Sequence, residues 1–102
     1  MKRQPTKSLE EIKKILRDNK EVLREKFKIK EIGIFGSFVR GEQRKRSDVD
    51  ILVEFNEPIS FFEFLDLEDH LAQVLEMRVD LVSRKALKPR IGENILREVI
   101  YL

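Results

Sequence analysis

Three observations predict an α/β (α+β) fold, a small mixed three-stranded sheet with flanking helices. Short apolar runs of strand length fall at Ile32–Phe35, at Ile51–Phe55 and around Val79–Val82. Longer stretches with apolar residues at helical spacing lie before, between and after them. Two of these stretches open with a serine followed three residues later by a glutamate, in Ser8-Leu9-Glu10-Glu11 and Ser60-Phe61-Phe62-Glu63. Each is the signature of a helix N-terminus whose free amide groups are capped by side chains. With 102 residues, the chain is expected to form one domain over 1–102, in which 1–7 are a flexible tail.

The elements follow in order. Leu9, Ile12, Ile15, Leu16, Leu23 and Phe27 share one helical face, which predicts a single helix packed on the sheet. Ile32-Gly33-Ile34-Phe35 is the first strand and stops at Gly36, where glycine permits a positive φ or a close approach to a ligand. Ser37 then opens a short helix through Phe38-Val39-Arg40, and a basic loop runs from Glu42 to Ser47. Asp48-Val49-Asp50-Ile51-Leu52-Val53-Glu54-Phe55 alternates faces as a second strand and ends at Asn56-Glu57-Pro58. A helix follows to about Glu76, with Phe61, Leu65, Ala72 and Leu75 as its expected buried stripe. Met77-Arg78-Val79-Asp80-Leu81-Val82 is the third strand. Lys88-Pro89-Arg90 starts a last helix, with Ile91, Ile95, Val99 and Leu102 on one side.

The spacing of the small turn and the acids carries the chemistry. Gly36-Ser37 is followed, after ten residues, by Asp48-Val49-Asp50. Asp48 and Asp50 project from one face at the head of a strand, and their mutual repulsion is costly without a cation between them. Hard divalent cations such as Mg²⁺ take carboxylate oxygens together with substrate phosphate. Asp80 joins the pair if its strand lies alongside. Three acids so placed hold two metals about 3.5–4 Å apart for in-line phosphoryl displacement. Backbone N–H groups around Gly36 and Ser37 suit phosphate oxygens, and Arg40, one turn on, adds charge. No Gly-Lys-Ser/Thr follows, so this is not a Walker A loop.

Gly36-Ser37-Phe38-Val39-Arg40-Gly41 with Ser47-Asp48-Val49-Asp50-Ile51-Leu52-Val53 resembles the signature of the DNA polymerase beta-like nucleotidyltransferase superfamily. A chain with little beyond that core resembles the minimal nucleotidyltransferases of the MNT antitoxin type, which are paired with HEPN-domain toxins. The resemblance covers Lys30 to Val82 strongly and the flanking helices loosely. It implies that Gly36 and Ser37 bind the β- and γ-phosphates of ATP and that Asp48 and Asp50 bind two Mg²⁺ ions. It implies that Asp80 binds one of these ions and helps activate the attacking hydroxyl. It further implies transfer of AMP to a tyrosine of the toxin, silencing the toxin's RNase. Two other outcomes stay open: an antitoxin that only occludes its toxin, and nucleotidyl transfer to an RNA end or a small molecule.

Composition narrows the remaining classes. Charged residues make up 39% of the chain, yet the net charge is only +2, so solvated helix faces rather than a nucleic-acid footprint are expected. The Arg44-Lys45-Arg46 run is the exception; it suits an exposed loop, triphosphate attraction or an acidic partner. The chain has no cysteine, which excludes disulfides and thiolate metal sites. No segment has the length and apolarity of a signal core or a bilayer span, so the expected location is cytoplasmic. At this length no second domain is expected to hold the acceptor, which favours a protein partner or a homo-oligomer. His70 and Glu54 are expected to be structural rather than catalytic. Phe61, Phe62 and Phe64 are expected in the core, with a partner-facing surface as the alternative.

Overall fold

The computed structural model describes residues 7–44 and 47–102. The expected tail, apart from Lys7, and the Lys45-Arg46 part of the basic run lie outside the described residues. Among the described residues, four strands form one sheet in the order β3-β2-β1-β4. These are β1 (Ile29–Phe35), β2 (Val49–Phe55), β3 (Val79–Ser83) and β4 (Ile100–Tyr101). β1 runs antiparallel to both β2 and β4, and β2 runs parallel to β3. A parallel pair needs a crossover, and α4 (Phe61–Leu75) supplies it.

Both capping boxes form. The Glu11 and Glu63 amides donate to Ser8 Oγ and Ser60 Oγ, each at 3.1 Å, and the two glutamates accept from the serine amides in return. The expected single first helix is instead two, α1 (Leu9–Asp18) and α2 (Lys20–Phe27). Asn19 separates them, because its side-chain amide donates to the Ile15 carbonyl at 2.8 Å and competes with the helical ladder there. The apolar spacing carries on through the break, so Ile12, Leu16 and Leu23 are all fully buried.

One face of the sheet holds the core. Ile32 and Ile34 of β1 and Val49, Ile51 and Val53 of β2 pack there with Ile12, Leu16, Leu67, Leu71 and Leu75. Each fully buried leucine stabilises the fold by about 1.5–3 kcal/mol. The buried stripe of α4 is therefore Leu67, Leu71 and Leu75; of the expected stripe, Leu75 is buried, while Phe61 is 69% exposed and Leu65 36%. The helix packs through the face that carries Phe64, Leu67, Leu71 and Leu75, and Phe61 and Leu65 lie to one side of that face.

The chain's last segment also departs from expectation. The final helix, α5, covers Pro89–Glu98 and stops there, with Ile91 61% exposed. Val99 turns to an extended conformation, and Ile100–Tyr101 add the fourth strand beside Gly33 and Ile34. Gly33 makes this approach possible: a Cβ there would lie 2.6 Å from Val99 Cγ2 and 2.9 Å from the Ile100 carbonyl oxygen.

Candidate active site

The pleat puts Val49, Ile51 and Val53 into the core, so Asp50 faces the other way. In the parallel ladder Asp50 stands opposite Asp80, and in the antiparallel one opposite Phe35. Gly36, which follows Phe35, is thereby brought against Asp50. Its φ is +82°, and a Cβ on it would lie 2.0 Å from Asp50 Oδ2. Only a glycine leaves the carboxylate its place. The turn and the acid, distant in sequence, are thus in contact, and α3 (Ser37–Arg40) starts from the same point.

The carboxylates differ in their surroundings. Burial raises the Asp50 carboxyl from its ordinary 3.8 to about 6, and the neighbouring Asp80 and Asp48 charges add to the rise; Arg40 opposes it. Asp80 is exposed. Asp48 lies just before β2 with its Oδ1 3.3 Å from Arg78 Nε. Asp48 is turned to Arg78, and among the described residues no group of three or more His, Cys, Asp or Glu side chains is gathered as a metal site. The donor set nonetheless fits a hard divalent ion: carboxylate oxygens only, a destabilised Asp50 anion, and a glycine cradle keeping one face of it clear. Asp50 and Asp80 would hold such an ion, with Asp48 joining when it leaves Arg78.

An open cleft of about 310 Å³ adjoins Asp50, lined also by Phe35, Gly36, Arg40, Ile91, Asn94, Ile95 and Glu98. One wall is therefore α5, which sequence reasoning had not assigned to the site. Glu98 is its most consequential residue. Its Oε2 accepts from the Gly36 amide at 2.7 Å, and its two oxygens accept from Arg40 Nη1 at 3.0 and 3.1 Å. The other side of the guanidinium, Nε, donates to Glu42 Oε1 at 2.8 Å. A faint signal for Glu98 exists in the sequence: an acid closing a helix stands against the helix dipole.

Of the six residues expected at the site, Gly36, Asp50 and Asp80 come together, Ser37 and Arg40 flank them on α3, and Asp48 stands at the rim. Residues expected elsewhere lie elsewhere. His70 packs on Phe27 with ring centroids 5.1 Å apart, and its Nε2 has no hydrogen-bond partner among the described residues. Glu54 pairs with Arg84 at 3.4 Å. Phe64 packs edge-on against Phe55. Phe61 and Phe62 do not join the core: they are 69% and 76% exposed and pack on each other.

Comparison with known proteins agrees with this geometry. The family described as polymerase beta, nucleotidyltransferase, matches residues 10–102. The chain is 52% identical over 95 residues to the protein adenylyltransferase MntA of Thermococcus cleftensis, spanning 93% of this chain and 96% of that one. A solved structure provisionally described as a minimal nucleotidyltransferase superposes with a TM-score of 0.80 at 36% identity, covering 94% of this chain and 97% of the other. An MNT antitoxin in complex with the tri-AMPylated HEPN toxin of Shewanella oneidensis superposes with a TM-score of 0.58 at 25% identity, covering 90% and 66%.

Proposed function

Since the chain belongs to the polymerase beta nucleotidyltransferase family, we propose that it moves AMP from ATP to a tyrosine hydroxyl of a cognate HEPN-domain toxin and so acts as its antitoxin. The observation that carries the reading is the contact of Gly36 with Asp50 beside Asp80. A turn suited to phosphate beside a pair of acids suited to metal is the combination that phosphoryl transfer uses. The resemblance to a protein adenylyltransferase supports the donor, and the resemblance to an antitoxin bound to an AMPylated toxin supports the acceptor. The working unit is one minimal domain over 1–102, and a cytoplasmic location accords with such a partnership.

In this reading the hydroxyl attacks the α-phosphorus of ATP and pyrophosphate leaves. Gly36, Ser37 and Arg40 bind the β- and γ-phosphates, which orients the scissile bond toward the head of β2. Two Mg²⁺ ions, held by Asp48, Asp50 and Asp80, would supply charge neutralisation and acidify the acceptor hydroxyl. The raised carboxyl of Asp50 means that this group loses a proton before it binds cation. The exposed edge at Asp48 and Asp80 leaves the acceptor side open, so the partner protein itself completes the site.

The test is mass spectrometry of the HEPN protein after incubation with this chain, Mg²⁺ and ATP. The expected result is a mass gain in AMP steps that disappears with Asp48→Asn. No gain, from a stable complex that still silences the toxin, would replace this reading with simple occlusion.

A further inference from the structure

The phosphate-binding donors of the site are not free. The Gly36 amide and the inner edge of the Arg40 guanidinium both bond to one carboxylate, that of Glu98. Two oxygens of an anion meeting a backbone N–H and an arginine is the geometry a phosphate adopts at such a site. Glu98 reaches it from the last residue of α5, with its side chain 24% exposed. It lines the cleft and stays partly open to solvent.

We propose that Glu98 is an internal counter-ligand of the phosphate site: its carboxylate holds Gly36 and Arg40 until the polyphosphate of a nucleoside triphosphate displaces it, and it returns as pyrophosphate leaves. The inference rests on the reading of Gly36 and Arg40 as phosphate-binding residues. Its consequence is quantitative. A ligand that uses these donors binds with an affinity reduced by the fraction of time Glu98 is away from them. A ligand that does not use them, such as AMP, pays no such penalty. The same competition speeds pyrophosphate release, because the incoming carboxylate satisfies the donors as the product lets them go.

Binding of ATP, inorganic tripolyphosphate and AMP, each with Mg²⁺, should be measured by calorimetry for the natural chain, Glu98→Gln and Glu98→Ala. Glu98→Gln retains shape but loses the charge that makes the two bonds strong, and it is expected to bind ATP and tripolyphosphate about tenfold more tightly. AMP affinity should stay as it was, and the KM for ATP should fall. Glu98→Ala gives the same reading if the glutamine variant folds poorly. ATP affinity unchanged or weakened in both variants, with ATP binding intact in the natural chain, would overturn the inference and leave the proposed function standing. Equal tightening of AMP would also overturn it. If the folded natural chain and both variants bind neither ATP nor tripolyphosphate, the phosphate site itself is wrong and the inference falls with it.

Discussion

Asp50 and Asp80 stand directly opposite one another in the parallel β2–β3 ladder. Burial first, then the charges of Asp80 and Asp48, lift the Asp50 carboxyl to about 6. The native state therefore holds that proton more tightly than the unfolded chain does. The sign follows: Asp50's contribution to stability is fully present below its ordinary value of 3.8, declines as pH rises, and is lost above about 6. Asp50→Asn is expected to melt several degrees higher than the natural chain at pH 7.5 and to match it near pH 4. The same variant should lose adenylyl transfer by at least roughly two orders of magnitude, as when a charge-stabilising group is removed elsewhere. Melting curves at the two pH values decide the first point; a variant no more stable at pH 7.5 refutes the strained-acid account.

Gly36→Ala tests the contact between turn and acid. At φ +82° and ψ −150° the backbone lies in a region almost reserved for glycine, and holding a residue with a Cβ there costs about 1–3 kcal/mol. The new methyl would also meet Asp50 Oδ2, which lies 2.0 Å from where it would be. A melting temperature lowered by roughly 4–8 °C per kcal/mol is expected, with transfer lost as Asp50 is pushed aside. An alanine variant with full activity would show that the two residues are not coupled.

Gly33→Val tests the fourth strand. Its side chain would collide with Val99 and the Ile100 carbonyl, and overpacking of this kind costs about 1–3 kcal/mol. The expected readout is faster hydrogen exchange at the Leu102 amide, which donates to the Ile32 carbonyl at 3.0 Å. Unchanged protection there would mean that β4 does not depend on the glycine.

His70 works in the opposite pH direction from Asp50. Burial, then the charge of Lys26, holds its imidazole below the ordinary 6.5. The unfolded chain thus takes up the proton first, so His70's contribution is present above about pH 6.5 and is lost as pH falls through and below that value. Chemical denaturation at pH 7.5 and 5 should show that His70→Leu removes part of the acid sensitivity. Equal sensitivity in the two proteins would contradict the burial argument.

The local rules carried most of the fold. Ser8 and Ser60 mark helix starts because capping is settled within four residues, and Val49 to Phe55 read as a strand because alternation is a property of the segment itself. Ile100–Tyr101 escaped notice because two residues carry no periodicity; they are a strand only through Gly33 and Ile34 beside them. The break at Asn19 was hidden by apolar spacing that runs through it. Phe61 and Leu65 were misplaced because apolar residues run most of the way around α4, so spacing alone did not fix which of them face the sheet; Phe64, Leu67 and Leu71 do. At the site, Gly36, Asp50 and Asp80 were legible as residue types at characteristic intervals. Glu98 was legible only as an acid set against its helix dipole, since its partner is 62 residues away and only the folded chain brings α5 to the turn.

The main core and the acids lie on opposite faces of the sheet. The core packs against α1, α2 and α4 and takes in Phe38 of α3, while the opposite surface carries the acids, the turn and the cleft. Replacing a carboxylate there opens no cavity among Ile32, Ile51, Val53 and Leu71. Changes confined to the carboxylates can therefore alter or abolish the chemistry while the core that holds the fold stays intact.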